Sequence, residues 1–354
     1  MTEMMRAVVI HSPHDLRVEE VPKPVPGPGQ VVCRVAAAGI CGSDIEIYHG
    51  TMPYFEMGLL SFPWTPGHEW SGIVDSVGAG VTHLKPGDRI VGECNIACGR
   101  CEACFQGNYH TCDNRTEVGV AGALPGGFAD FVLMPAAQTL KVPSNVSLRE
   151  AAMTEPTGVT MHGLDHLSIR PGRQAVVMGD GTIGLLAAQM ARASGASVVL
   201  LGSHEFKMNI AREVGIARVV NRHSPTAREE ILNALGGKKA DYLIEATGNP
   251  KTLDFASSLI RMSGKCLIIS YYPVQQVTFN LNNFIANEIH IYSTFSGVNC
   301  FGRVLHMMET KQVHTLPLQG PHYSFDRVKQ AFEDVAHKKT SGVKTLVVHE
   351  DILD

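Results

Sequence analysis

The sequence has neither a large excess of one charge nor a long uninterrupted apolar run. Its 354 residues carry 30 Lys and Arg against 34 Asp and Glu, a formal net charge of −4. This mild acidity gives no electrostatic reason to expect nucleic acid or an anionic membrane as a partner. No stretch approaches the roughly 18 apolar residues that cross a bilayer. The opening stretch, MTEMMRAVVIHSPHD, lacks the basic-then-apolar order that predicts a signal peptide.

The composition is that of an ordinary globular protein. Hydrophobic residues make up 44% of the chain and charged residues 18%, and the length predicts two domains. The 9 cysteines and 16 histidines, without an export signal, favour a reducing compartment. Clustered thiols in such a compartment bind metal more often than they form disulfides. We therefore expect a cytoplasmic protein.

Two sequence patterns divide the chain. Up to about residue 155, short β-branched runs such as RAVVI and SGIVDSVG alternate with proline and glycine, which is typical of a small barrel or sandwich. From about residue 171, strands alternate with helices (QAVVMG, DGTIGLLAAQMARASG, SVVLLG, EFKMNIAREVG), and this predicts an α/β fold with a parallel, doubly wound sheet. After about residue 295 the alternation weakens. Two helix-like stretches there precede a closing strand, GVKTLVVHE.

A glycine fingerprint opens the first helix of the alternating region. Gly179, Gly181 and Gly184 form G-x-G-x-x-G, with Thr182 and Ile183 inside it. The first glycine permits a tight turn, the second lets a pyrophosphate approach the backbone, and the third lets the helix pack against the strand. Glycines can also simply turn a chain, but the strand–turn–helix setting favours dinucleotide binding.

Four cysteines lie together in CGRCEACFQGNYHTC. They are Cys98, Cys101, Cys104 and Cys112. Four thiolates leave Zn²⁺ no open position, so the spacing predicts a structural zinc. An iron–sulfur cluster is one alternative, although the stretch lacks ferredoxin-type spacing and a trailing proline. A zinc ribbon that binds nucleic acid is another, but the stretch carries little basic charge.

Residues scattered along the chain suggest a second, open metal site. Beside glycine or proline, where strands end, stand Cys41 (GICGSD), His68 and Glu69 (PGHEW), and Glu155 (MTEPTG). Mixed sulfur, nitrogen and oxygen ligands are typical of a catalytic zinc that keeps one position for water or substrate. On spacing alone the signal is weak, because a lone histidine or cysteine is more often a core residue.

These motifs resemble the zinc-dependent medium-chain alcohol dehydrogenase superfamily. The shared features span nearly the whole chain in the family's order: GHE at 67–69, KPGDRI at 85–90, the four-cysteine stretch, EP at 155–156 and the glycine fingerprint. The resemblance implies a GroES-like catalytic domain at 1–156 that carries the structural zinc lobe. It implies a Rossmann domain at 157–294 and a return to the catalytic domain at 295–354. It also implies a homo-oligomer, a dimer or a tetramer.

The resemblance assigns roles to single residues. Cys41, His68 and Glu155 match the catalytic zinc ligands. The third ligand is cysteine in many alcohol dehydrogenases and glutamate in polyol and threonine dehydrogenases. Glu69 matches a carboxylate beside the metal that can exchange with water. Asp44 matches the carboxylate that orients the ligating histidine.

The family's chemistry implies that zinc acts as a Lewis acid on the alcohol, that Ser43 takes the substrate proton, and that hydride passes to a nicotinamide. Many relatives complete the proton relay with a histidine five positions after the first zinc ligand. Glu46 stands at that position here, and the nearest histidine is His49, so both are candidates. The alternative for Glu46 is a solvated surface carboxylate.

Sorbitol-type dehydrogenases often carry an Arg-Tyr pair after the Rossmann domain, and this pair contacts the substrate. In this chain Ser296 and Gly297 stand in those places.

The sequence therefore predicts a zinc-dependent secondary-alcohol dehydrogenase with a polar alcohol or ketone substrate: a polyol, an amino-polyol or an aminocyclitol. Alternatives within the same chemistry are an L-threonine 3-dehydrogenase and a sugar-phosphate dehydrogenase. The alternative outside it is a catalytically silent binding or structural relative. The presence of both a complete ligand set and a proton relay argues against a silent relative.

The end of the second strand in the alternating region predicts the cofactor. NAD-dependent relatives carry an acid there that binds the ribose hydroxyls and repels a 2′-phosphate. This chain has Gly202, followed by Ser203, His204 and, one turn on, Lys207. The stretch resembles the Gly-Ser-Arg of NADP-dependent relatives, with histidine replacing arginine, so it favours NADP over NAD. Restoring the acid with Gly202→Asp is expected to reverse the preference. The alternative is that Lys207 is a solvated helix residue and that NAD binds without the acid.

Overall fold

The structure is a computed structural model that describes residues 2–272 and 276–353. The chain divides into two compact units. Unit 1 contains Met1–Glu155, Phe301–Glu309 and Gln319–Asp354, and unit 2 contains Pro156–Cys300 and Thr310–Leu318.

The elements are numbered in chain order. The strands are β1 (Met4–Ser12), β2 (Asp15–Pro22), β3 (Gln30–Gly39), β4 (Glu69–Val77), β5 (Arg89–Gly92), β6 (Asn95–Ile96), β7 (Thr116–Glu117), β8 (Phe131–Pro135), β9 (Thr139–Lys141), β10 (Gln174–Met178), β11 (Ser197–Gly202), β12 (Arg218–Asn221), β13 (Ala240–Glu245), β14 (Ile260–Ile268), β15 (His290–Ser293), β16 (Tyr323–Ser324) and β17 (Leu346–Val348). The α-helices are α1 (Gly42–His49), α2 (Glu102–Phe105), α3 (Leu148–Ala151), α4 (Thr154–Leu167), α5 (Thr182–Ala193), α6 (Glu205–Glu213), α7 (Ala227–Ala234), α8 (Thr252–Leu259), α9 (Leu281–Ala286), α10 (Phe301–Glu309) and α11 (Val328–Ala336).

Unit 1 is β-rich, as its short β-branched runs predict. Its main sheet has the strand order β16-β17-β3-β4-β5-β9, and β8 also pairs with β3. The strand β3 therefore contacts β4, β8 and β17, and nearly all of its residues are buried. The fully buried Phe128, Phe332 and Ile10 are among the largest side chains of the core beneath this sheet.

Unit 2 contains a six-stranded parallel sheet in the order β12-β11-β10-β13-β14-β15. Counted from β10, this is the 3-2-1-4-5-6 order of dinucleotide-binding folds. The inner strand β10, QAVVM, is almost wholly buried because the helices of a doubly wound fold cover both faces of its sheet. The prediction of an α/β fold with a GroES-like domain and a Rossmann domain is confirmed.

The strand β15 and the helix α9 are not among the predicted elements. Every side chain of β15 is exposed or half-exposed, since the strand lies at the edge of the sheet. It therefore lacks the apolar run that marks the inner strands. Across the described residues, no helix has both the length and the apolar composition that crossing a membrane requires.

Candidate active site

One group of candidate metal ligands lies in unit 1, where β3 and β4 meet. Cys41, His68 and Glu69 each offer a ligand atom, and these atoms lie within 4.8 Å of one another. The strands are antiparallel neighbours with Gly39 opposite Glu69. The residues just after β3 and just before β4 are therefore brought together. His68 and Glu69 are buried, and Cys41 is half-buried.

Asp44 ties the two ligand-bearing segments to each other. Its fully buried carboxylate accepts hydrogen bonds from the backbone N–H of Cys41 at 2.8 Å and of Gly67 at 3.2 Å. The Asp44 Oδ1 lies 3.7 Å from Nδ1 of His68. Burial lowers the pKa of His68, but the Asp44 carboxylate and then Cys41 raise it, and the net pKa is well above the usual value. The position suits the predicted orienting role.

Glu155, the predicted third ligand, lies outside the 4.8 Å group. It is buried in the first turn of α4. Burial raises the pKa of the Glu155 carboxyl, while His68 lowers it and Glu69 raises it further, and the net pKa is above its ordinary value. The structure thus places Glu155 within electrostatic reach of the group but not among its closest members.

Sequence reasoning missed Lys344. Its ammonium, only 5% exposed, donates to Oε1 of Glu69 at 2.6 Å and also pairs with Oε2. Burial lowers the pKa of Lys344, but Glu69 and then Cys41 raise it, and the net pKa is above the ordinary value. The available signal was a lysine inside the otherwise apolar closing run GVKTLVV.

The residues of this group fit a zinc ion. A thiol, an imidazole and a carboxylate form the mixed donor set of a catalytic zinc. Nδ1 of His68 is buried and makes no hydrogen bond within the described part of the chain. The buried carboxyl groups of Asp44, Glu69 and Glu155 all interact electrostatically with one buried cation, Lys344, and a further cation would offset the repulsion among them.

The four-cysteine group fits a single ion as well. All four Sγ atoms lie within 4.8 Å of one another, and the distances Cys98–Cys104 and Cys101–Cys104 are 3.9 and 3.4 Å. A tetrahedron with Zn–S bonds of about 2.3 Å has sulfur–sulfur edges of about 3.8 Å. The backbone N–H of Arg100, first, and Cys112 lower the pKa of Cys98 to about 6, which favours the ligating thiolate.

The predicted proton-relay residues all lie on α1. Ser43 is half-buried in the first turn, beside Asp44. Glu46 is also half-buried, and burial raises the pKa of its carboxyl, so it is not the fully solvated carboxylate of the alternative. His49 ends the helix against the rings of His14 and Tyr48, with centroids 4.9 and 5.6 Å away. None of these ring contacts of His49 involves a candidate zinc ligand.

A cavity of about 710 Å³ lies in unit 2 at the carboxyl ends of β10, β11 and β13. Two of the fingerprint glycines, Gly179 and Gly181, line it. Gly179 has φ 117°, and a Cβ there would lie 2.6 Å from the carbonyl oxygen of Ala246. A Cβ at Gly184 would lie 2.0 Å from the carbonyl oxygen of Gly179, whereas one at Gly181 would meet nothing within 4 Å. The geometry matches a tight turn, an open approach and a close helix–strand contact.

The structure also gives Gly202 a packing role. A Cβ at this position would lie 2.6 Å from Cγ of Met208 and 3.2 Å from Oδ2 of Asp180. An aspartate there would meet a side chain and a like charge. Reversal of an NADP preference by Gly202→Asp therefore stays a prediction, and the structure adds that the substitution would also displace Met208 and crowd Asp180.

Polar and charged residues line the same cavity. Ser203, His204 and Lys207, predicted from the sequence, are joined there by Asp180 and Arg222, which sequence reasoning missed. Arg222 is exposed, and within the described residues its guanidinium makes no hydrogen bond or ion pair. Its signal was its place directly after β12, the neighbour of β11.

Ser296 and Gly297 lie elsewhere in unit 2. The carbonyl oxygen of Ser296 is 2.5 Å from Nδ1 of His162 in α4. A Cβ at Gly297 would lie 2.8 Å from the carbonyl carbon of Gly158. These two residues are packed against α4, and neither offers a long polar side chain to a substrate.

Comparison with known proteins decides the family. An alcohol dehydrogenase GroES-like domain matches residues 27–144, and a zinc-binding dehydrogenase domain matches residues 182–310. Sorbitol dehydrogenase of Bacillus subtilis strain 168 is 30% identical over 97% of both chains. The chain belongs to the zinc-type medium-chain dehydrogenase family. It is therefore an NAD(P)-dependent alcohol oxidoreductase.

Proteins similar to this chain differ from one another in substrate and in cofactor. L-threonine 3-dehydrogenase of Pyrococcus furiosus is also 30% identical, over 97% of this chain and 99% of its own. A protein of Sinorhizobium meliloti 1021 described as a zinc-binding dehydrogenase, solved with NADP, is 30% identical (TM-score 0.88, 98% and 99% coverage). An alcohol dehydrogenase of E. coli CFT073, solved with NADH, is 26% identical (TM-score 0.87, 98% and 99% coverage).

Proposed function

We propose that this dehydrogenase transfers hydride between a secondary alcohol of a polyol, amino-polyol or aminocyclitol and NADP. Two zinc ions per chain would serve it, one structural and one catalytic. The observation that carries the proposal is the group of Cys41, His68 and Glu69, largely buried, with Glu155 within electrostatic reach. Within the described residues the cysteines form no disulfide, which supports a reducing, cytoplasmic setting, and we propose a homo-oligomer, a dimer or a tetramer.

In this proposal Cys41, His68 and Glu155 would hold the catalytic zinc, and Glu69 would stand beside it. The bound metal would supply Lewis acidity that lowers the pKa of the substrate hydroxyl. Asp44 keeps the backbone of Cys41 and the ring of His68 in place through the contacts described above.

The substrate proton passes along α1. Ser43 accepts it from the alcohol and hands it on to Glu46 or His49. Glu46 lies three residues after Ser43 on α1, where the two side chains are on the same face of the helix, and burial raises the pKa of its carboxyl; both features favour Glu46.

A polar substrate is supported by the glutamate at the third ligand position, a feature shared with polyol and threonine dehydrogenases. Sorbitol itself is not favoured, because Ser296 and Gly297 replace the Arg-Tyr pair and pack against α4. L-threonine remains the second candidate, since a threonine dehydrogenase is as similar to this chain as a sorbitol dehydrogenase.

The substrate test is a panel of polyols, amino-polyols, aminocyclitols, L-threonine and sugar phosphates, with the cofactor followed at 340 nm. We expect the highest kcat/KM on a polyol, amino-polyol or aminocyclitol. A higher kcat/KM on L-threonine or a sugar phosphate would instead identify the enzyme as an L-threonine 3-dehydrogenase or a sugar-phosphate dehydrogenase. Inactivity across the whole panel, in protein shown to carry zinc, would favour a silent relative.

NADP preference is supported by the cation-rich wall of the cavity in unit 2. Ser203 offers a hydroxyl, Lys207 and Arg222 offer positive charge, and Gly202 places no carboxylate at the end of β11. The Asp180 carboxylate lines the same cavity but accepts hydrogen bonds from the backbone N–H groups of Ser203 and His204. We expect NADPH to have a higher kcat/KM than NADH. Arg222→Ala is expected to raise KM for NADPH about tenfold while changing KM for NADH little.

The matched control is Arg218→Ala, an exposed arginine at the start of β12, the strand that Arg222 follows, and it does not line the cavity. It should leave both KM values unchanged. A higher kcat/KM for NADH in the wild type would refute the NADP proposal.

A further inference from the structure

Asp180, between the first two fingerprint glycines, connects two turns at the cavity. Its side chain is 7% exposed. Its Oδ2 accepts hydrogen bonds from the backbone N–H of Ser203 at 2.7 Å and of His204 at 2.8 Å. The same oxygen lies 3.4 Å from Nδ1 of His204. The turn after β10 is thereby joined to the turn after β11.

The Asp180 carboxylate caps the turn after β11, which has no side-chain cap of its own. His204 is the residue before α6, but its side chain makes no hydrogen bond that caps the helix. A carboxylate at the start of α6 also interacts favourably with the helix dipole. Burial raises the pKa of Asp180, but the backbone N–H groups of Ser203 and His204 lower it, and the net pKa is below the ordinary value. Asp180 is therefore ionised at neutral pH, and its hydrogen bonds are charge-assisted.

We propose that Asp180 is a positioning residue for the adenosine end of the cofactor. It holds the turn of Ser203 and His204 in the conformation that receives the 2′-phosphate, and in this respect the inference rests on the proposed NADP preference. A turn fixed before binding costs less entropy when the ligand arrives. The rival role is electrostatic: the charge of Asp180 would oppose the 2′-phosphate, and its removal would tighten binding.

Calorimetry on the purified full-length protein separates these roles, with 2′,5′-ADP and 5′-AMP as probes. We expect Asp180→Ala to weaken 2′,5′-ADP binding about tenfold and 5′-AMP binding less than about threefold. Asp180→Asn keeps an acceptor oxygen. It should therefore recover at least half of the lost 2′,5′-ADP affinity, measured as log Kd. Unchanged binding by Asp180→Ala, or tighter 2′,5′-ADP binding by Asp180→Asn, would overturn the inference. If Asp180→Ala does not fold, Asp180→Ser, whose side chain is too short to bridge, takes its place.

Two further measurements make the test independent of cofactor choice. Exchange of the Ser203 and His204 amide protons should be at least about tenfold faster in Asp180→Ala and near wild type in Asp180→Asn. Unchanged exchange would overturn the inference even if NADPH is preferred.

With saturating cofactor, kcat of Asp180→Ala should remain near wild type while KM for NADPH rises. A fall in kcat as large as the rise in KM would show general damage to the site and would overturn the positioning role. A wild type that binds 2′,5′-ADP no tighter than 5′-AMP would refute the NADP preference alone.

Discussion

Lys344→Met is the substitution that most directly tests the electrostatics of the buried metal site. Lys344 and Glu69 are 5% and 1% exposed, and Nζ donates to Oε1 at 2.6 Å. Gly39 leaves the space for this pair, since a Cβ there would lie 2.9 Å from Cε of Lys344. Methionine keeps much of the volume and removes the charge. The Glu69 carboxylate would then be buried without its cation.

Removing one partner of a buried pair costs about 3–5 kcal/mol. For a unit of this size, each kcal/mol lowers Tm by about 2–4 °C, so we expect a fall of about 6–20 °C. Bound zinc would offset part of the uncompensated charge of Glu69. The fall should therefore be larger after treatment with a chelator than in zinc-loaded protein.

Thermal unfolding of the wild type, Lys344→Met and the double variant Lys344→Met/Glu69→Gln measures the effect. The double variant should recover much of the stability, because no unpaired charge remains. The exposed Lys339→Met is the matched control and should leave Tm within about 1 °C. A Lys344→Met variant as stable as this control would refute the reasoning.

Three further predictions concern the remaining residues. Cys98→Ala should lower the zinc content by one ion per chain and lower Tm. The control Cys266→Ala, which changes a buried thiol far from the four-cysteine stretch in sequence, should keep both ions. Equal zinc content in the two variants would argue against the structural site. Ser43→Ala should lower kcat about 10²–10⁴-fold with little change in cofactor affinity, and an unchanged kcat with hydride transfer rate-limiting would remove Ser43 from the relay. Glu46→Gln should lower kcat more than His49→Gln does, and the reverse order would make histidine the relay group.

The sequence predicted those parts of the fold that depend on local patterns. The alternation of apolar strands with amphipathic helices predicted the doubly wound sheet because inner parallel strands are buried on both faces. The strand β15 was missed because an exposed edge strand needs no apolar run. The glycine fingerprint was recognisable from its spacing between a strand and a helix, and the structure shows why a side chain is excluded at Gly179 and Gly184.

The candidate site was less predictable where it depends on residues distant in sequence. Cys41 and His68 were weak candidates on spacing until the resemblance assigned them as ligands, and only the pairing of β3 with β4 shows them side by side. Lys344 and Asp180 were missed because their roles depend on partners at Glu69 and at the turn after β11. Gly202 was interpreted only as a missing acid, since its contact with Met208 cannot be inferred without the fold.

Zinc content and turnover, measured together in the wild type and in His68→Ala, test the catalytic zinc site. We expect two zinc ions per chain in active wild type. We expect one ion, no alcohol-dependent absorbance change and a preserved fold in His68→Ala, while the exposed control His322→Ala keeps both ions and full activity. A His68→Ala variant that retains two zinc ions and wild-type kcat would contradict the catalytic zinc site.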